Sequence, residues 1–197
     1  MANEYTTTAT LKLALNSSDS TRDDLLTAAI AAASRGIDKN CGRRFYLDGA
    51  VSVRTYNPEI RTVCYETGEL LIVDDIGSAT GLVVETGNVG GTYTAVTDYE
   101  TWPENALAQG APITGLLRYS GTWGSSGTAR IQVTAKWGWP ATPEEITQAT
   151  ILQALRLYKR KDSPEGVLGS AEWGAVRVGR VDPDVYELCK RFMLPGF

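Results

Sequence analysis

The chain has 197 residues, 43% hydrophobic and 21% charged, with a formal net charge of −4, ordinary proportions for one globular domain or for a domain carrying a second inside it. No apolar run reaches the roughly 20 residues of a membrane-spanning helix. Met1-Ala2-Asn3-Glu4-Tyr5 lacks the basic start and apolar core of a secretory signal, so a location inside a cell, or inside a particle assembled there, is expected.

The N-terminal part reads as helical. Thr8 to Leu15 suggests a short helix or turn around Leu11, Leu13 and Leu15, and Asn16 to Asp19 break it. Ser20 is a candidate N-cap, with Asp23 and Asp24 suited to the positive end of a helix. Leu26, Ile30, Ala33, Ile37 and Cys41 then recur every three or four residues, the spacing of one helix face. Arg35, Lys39, Arg43 and Arg44 gather toward the negative end, and Gly42 is a stop signal.

From Phe45 to Lys136 the pattern changes to short Thr-, Val-, Tyr- and Gly-rich runs separated by turn residues. Strands are expected at 51–56, 62–65, 70–73, 81–85, 92–99, 113–119 and 129–137. Breaks are expected at Asn57-Pro58, Thr67-Gly68, Ile76-Gly77-Ser78 and Thr86-Gly87-Asn88. Alternation is clearest in Ile131, Val133, Ala135 and Trp137. The spacing predicts an antiparallel β-sandwich or barrel of six or seven strands.

Helix returns after Thr142, read as N-cap with Pro143 at the first position and Glu145 closing a capping box. Ile146, Ala149, Ile151, Leu152, Ala154, Leu155, Leu157 and Tyr158 cover most of its circumference, so burial on several sides is expected. Lys159, Arg160 and Lys161 close it, and Pro164 and Gly166 prevent continuation. Residues 163–181 are irregular, with Val176, Val178 and Val181 alternating against Arg177 and Arg180 as a short strand or extended arm. Asp182-Pro183 opens a last helix with Val185, Leu188, Cys189 and Phe192 as its stripe.

The fold class expected is therefore α+β: a small helical bundle, residues 1–44 and 137–197, with a large antiparallel β domain, residues 45–136, inserted between the first long helix and the later ones. Charge is uneven, residues 1–44 summing to +1, 45–135 to −6 and 136–197 to +1. An acidic middle segment does not favour gripping phosphate.

The absence of histidine removes the Ser-His-Asp and Cys-His pairs, the usual imidazole base and the commonest zinc ligand. Cys41, Cys64 and Cys189 are too few and too scattered for a disulfide framework and read as small buried side chains. Asp74-Asp75 is the only adjacent acidic pair of the β segment. Strand neighbours point to opposite faces, which is wrong for a glycosidase pair, so a solvated turn or strand end is expected. The glycines at 166, 169, 174 and 179 form neither a phosphate loop nor a dinucleotide fingerprint. No catalytic residue, cofactor or metal is expected. Lys159-Arg160-Lys161 suits a solvated helix end or contact with an acidic partner or DNA backbone. Of five tryptophans, Trp137 fits core and Trp139 the place where the β segment meets the helices. Trp173 has no periodic support and is either a core or capping contact or an anchor in a partner.

Taken in order, Ala29 to Asp38, Cys41 to Tyr46, Asp98 to Pro103, Trp137 to Pro140, Leu157 to Gly166 and Gly174 to Val178 resemble the head-tail connector (adaptor) family of long-tailed bacteriophages, especially those infecting actinobacteria. The stretches span most of the chain, and their order and combination carry the resemblance. It implies a non-enzymatic virion protein of the neck, a helical bundle that in some members bears a β insert. It implies a homo-oligomeric ring, usually of twelve copies, docked beneath the portal protein. Such a ring extends the channel through which genomic DNA passes and presents a surface to a head-completion, stopper or tail-terminator protein. No membrane is involved. Candidate ring and portal contacts are Lys159, Arg160, Lys161, Trp173, Val176, Arg177, Val178, Arg180 and Phe192. Two other classes stay open: a tail or baseplate protein whose β domain binds glycan through Tyr93, Tyr99 or Trp102, and a carboxylate hydrolase using Asp74 or Asp75.

Overall fold

A computed structural model describes residues 3–124, 126–160, 167–168, 176–177 and 182–194. Helices and an antiparallel sheet make the fold α+β, and the chain divides into two compact units, Met1–Phe45 with Thr142–Phe197, and Tyr46–Ala141.

In the first unit, α1 (Thr8–Ala14) is capped by the Thr7 side chain, which accepts from the Thr10 amide. The long helix α2 (Asp23–Cys41) ends at Gly42 in the left-handed conformation. Ser20 is not its cap: Arg22 takes that position without a side-chain bond, and two aspartates fill the first turn. Helix α4 (Glu144–Lys159) packs along α2, with α1 against both and α5 (Pro183–Lys190) against α4. Their common core is Leu11, Leu26, Ile30, Ala33 and Ala154, flanked by Ile151, Leu155, Leu157 and Tyr158. Fully buried alanines on both long helices permit close approach. The expected capping box at α4 does not form. Thr147 bonds back to the Pro143 carbonyl, making Pro143 the cap residue, and the Thr142 hydroxyl instead donates to the Phe45 carbonyl at 2.9 Å. Only Ile146, Ala149, Thr150 and Ala154 of α4 are fully buried, and its leucines are half-buried.

Tyr5 closes this unit around Phe45. Its hydroxyl bonds to the Asp38 carboxylate and accepts from the Phe45 amide, and its ring meets Phe45 edge-on. Phe192 meets Phe45 edge-on from the other chain end, 5.5 Å between centroids. Burial and the Asp38 partner push the Tyr5 phenol above its ordinary range.

The second unit contains β1 (Ser52–Tyr56), a one-turn helix α3 (Pro58–Arg61), β2 (Thr62–Tyr65), β3 (Gly68–Asn88), β4 (Thr94–Ala95), β5 (Glu100–Trp102), β6 (Ile113–Arg118) and β7 (Ala129–Trp137). Helix α3 sits where only a break was expected, because Asn57 caps it and Pro58 occupies its first position. The seven strands form one antiparallel sheet in the order β1-β7-β3-β6-β5, with β2 and β4 also on β3. Strand β7 alternates buried and half-buried residues along its whole length.

The expected strands at 70–73 and 81–85 are one strand of 21 residues. Its first part pairs with β2 and β6, its last part with β7 and β4, and the register shifts between Ile72 and Val83. Leu71, Val73, Leu116 and Trp123 from one half join Val84, Ile131, Val133 and Trp137 from the other in a single core. The glycine read as a turn, Gly77, is a point of close approach: a methyl there would lie 2.8 Å from the Gly138 carbonyl oxygen. Gly138 has φ +109, and a Cβ on it would overlap the Tyr46 carbonyl oxygen. Gly138→Ala is therefore expected to destabilise the β unit by about 2–4 kcal/mol. Urea unfolding followed by tryptophan fluorescence checks this, since Trp123, Trp137 and Trp139 are all buried in that unit; an unchanged midpoint would refute it.

Candidate assembly surfaces

The basic end of α4 divides into two kinds of cation. Arg156 is held by Asp182 at 3.6 Å, whereas Lys159, the last helical residue, and Arg160 after it are exposed. Both lie where unsatisfied carbonyls favour positive charge. Val176 and Arg177 form β9, paired antiparallel with β8 (Val167–Leu168). Lys161, Trp173, Val178 and Arg180 lie outside the described residues. Phe192 is 3% exposed and packed on Phe45, so its ring serves the interior of the helical unit.

Asp74 and Asp75 are neither a turn nor a strand end; both lie inside β3. Asp74 accepts from Arg54 Nη1 at 2.7 Å, Arg61 Nη1 at 3.3 Å and Tyr56 Oη at 3.1 Å. Arg54 also lies over the Trp137 ring and Arg61 over Tyr56. Burial works to raise the Asp74 pKa, but the two guanidiniums and the phenol outweigh it and hold the carboxyl below its usual range. Asp75 accepts from Trp139 Nε1 at 3.1 Å. The pair is thus committed to separate partners, and Asp74 joins β1, α3 and β3 with fixed charge. No group of three or more metal-ligating side chains occurs among the described residues, nor does any described helix have the length and apolarity to cross a membrane.

Sequence reading missed one surface altogether. On the first half of the sheet, Leu71 and Val73 point into the core, which leaves Leu70 and Ile72 on the outer face. The register sets Ile72 opposite Gly115, and Gly115 opposite Trp102, in one row across three strands. The next row is Leu70, Leu117 and Glu100. Ile72 and Trp102 are 42% and 41% exposed, and Tyr119, beyond the end of β6, is 54% exposed and donates to Glu100 Oε2 at 3.2 Å. Exposed Glu104 follows two residues after Trp102. Its sequence signal was the unbroken run Leu70-Leu71-Ile72-Val73, the mark of a strand with two apolar faces. The glycan candidates do not make one aromatic face: Tyr99 packs against buried Trp123, Tyr93 is half-buried, and only Trp102 is exposed.

No protein-family model matches the chain, and no curated protein matches it. Solved structures do. A chain in the neck of an empty GTA particle, computed with C6 symmetry, aligns with a TM-score of 0.54 and 16% identity, covering 96% of this chain and 89% of the other. A chain in the virion of a native gene transfer agent (GTA) particle aligns with a TM-score of 0.50 and 14% identity, covering 91% and 81%. The likeness is one of fold. It runs through nearly all of both chains.

Two expectations follow from these sites. Asp74→Asn leaves two arginines facing a neutral amide and is expected to cost about 1 kcal/mol at neutral pH. Because the folded carboxyl titrates below the unfolded value of about 3.9, its contribution is complete above that value and is lost as pH falls through the lowered one. The gap between wild type and variant in urea midpoints should be flat from about pH 7 to 5 and shrink below about pH 4; a gap that widens on acidification would contradict the assignment. Phe192→Ala is expected to destabilise the helical unit by about 3–5 kcal/mol even in dilute, unassembled protein. A thermal melt unchanged at low concentration would return Phe192 to the list of contacts between subunits.

Proposed function

We propose that the chain is a virion structural protein of the neck, a head-tail connector. The observation that carries this is the fold likeness to the GTA neck chain over 96% of the protein. It coincides with the resemblance of the sequence motifs to phage adaptor proteins. In this role copies assemble as a ring beneath the portal, twelve by analogy with that family. The ring prolongs the DNA channel and offers its far side to a head-completion, stopper or tail-terminator protein. The sixfold symmetry applied to the GTA neck supports a ring and accommodates twelve copies as well as six.

The chemistry suits conduction of DNA without binding it. The unit Tyr46–Ala141 carries five basic and ten acidic residues, a net −5. A channel wall of that sign repels phosphate, so DNA slides past it instead of adhering. The role requires no catalysis and no cofactor. The helical unit, with exposed Lys159 and Arg160, with Val176 and Arg177 of β9 and with α5, supplies contacts to neighbours and portal.

The test is the mass and symmetry of the purified full chain, by light scattering and negative-stain imaging, alone and with the portal ring of the same particle. A closed ring, formed alone or on the portal, is the expected result. A monomer or trimer indifferent to the portal would overturn the proposal.

A further inference from the structure

We infer that the outer face of the β3-β6-β5 half-sheet is the seat for a second copy of this chain, which docks there through the cationic end of its α4. The inference rests on the connector reading and specifies one contact within its ring.

Three observations carry it. The first is that this face keeps large exposed apolar side chains around a buried centre, Leu70 and Leu117 being 6% and 8% exposed. Ile72 and Trp102 stand in one cross-strand row, each more than two-fifths exposed, beside Tyr119 at 54%. Large apolar side chains grouped on one sheet face mark an interaction surface more often than singly scattered ones do. The second is the rim. Glu100 and Glu104 are exposed beside the two aromatic rings, and Tyr119 donates to Glu100. Desolvation first, then the charges of Glu100 and Glu104, push the Tyr119 phenol up, as expected where two carboxylates crowd one edge. Aromatic faces framed by carboxylates suit a guanidinium or ammonium group, which gains both ring and charge contacts.

The third is complementarity. Lys159 and Arg160 are adjacent exposed cations at the negative end of a helix. They belong to the other compact unit, while the β unit carries the chain's net negative charge. A contact between two unlike patches is heterologous, and repetition of a heterologous contact is what closes a ring. A self-complementary patch would give a twofold dimer instead.

The experiment exchanges charges between the two patches in the full-length chain. One variant carries Glu100→Lys with Glu104→Lys, the other Lys159→Glu with Arg160→Glu. All four positions are exposed, and circular dichroism checks that both variants fold. Each variant alone places like charges at every contact and is expected to associate at least about tenfold more weakly than wild type in light scattering. Mixed in equal amounts, the two present opposite charges at every alternating contact and should co-assemble. Assembly of both single variants at wild-type strength, or loss in both without rescue on mixing, would overturn this contact while wild-type rings leave the connector reading standing. Failure of the wild-type chain to assemble, alone or on the portal, would instead overturn that reading and this contact with it.

Discussion

The β unit depends on one strand serving two halves of a sheet. Strand β3 gives its first residues to β2 and β6 and its last to β7 and β4. Both halves wrap a single core, so the strand has to change direction between Ile72 and Val83, where the register shifts. The change is possible because backbone meets backbone at Gly77 and Gly138 with no side chain between. Beside the shift Ile76 lies in the core, Asp75 accepts from Trp139, and Asp74 accepts from Arg54 of β1 and Arg61 of α3.

How local a signal is decides which parts of the fold were legible in sequence. Helices α2 and α5 could be read because their signals are local: a 3.6-residue stripe, acids at the start, and a Gly42 stop or an Asp182 cap. Strand β7 could be read because one face is core and the other is not. Gly77 was misread because a glycine that makes a turn and one that admits a distant carbonyl look alike along the chain. The carbonyl in question is 61 positions away, at Gly138. Asp74 was misread for a similar reason, since its arginines lie 20 and 13 residues upstream. The caps at Ser20 and Thr142 failed because competing groups won. Thr142 found the Phe45 carbonyl, which no local pattern announces.

The assembly surfaces were less legible than the fold. A helical stripe reports that a face is buried without reporting by what, so Phe192 could be assigned to a neighbour when its partner is Phe45 of the same chain. Cationic Lys159 and Arg160 could be picked out, because a charged helix end is a local feature. The apolar outer face could not, because only the register of three strands brings Ile72, Trp102 and Tyr119 to the same face. Evenly matched apolar content on both faces of β3 was the one clue, and it takes a strand order to interpret it.

The two ends of the β unit are fastened to each other. The Asp48 amide donates to the Trp137 carbonyl at 2.8 Å, and within the helical unit the Phe45 carbonyl receives the Thr142 hydroxyl. For the packing of α2 on α4, a folded segment whose exit lies beside its entrance acts as a very short connection. A flexible loop of that length would oppose closure by roughly 4 kcal/mol of chain entropy; the folded unit removes most of that opposition before the helices meet. The bundle can therefore tolerate large changes in the size and surface of what is looped out, provided the clasp survives. Selection acting on the β unit's exterior is thereby uncoupled from the stability of the helices that carry it.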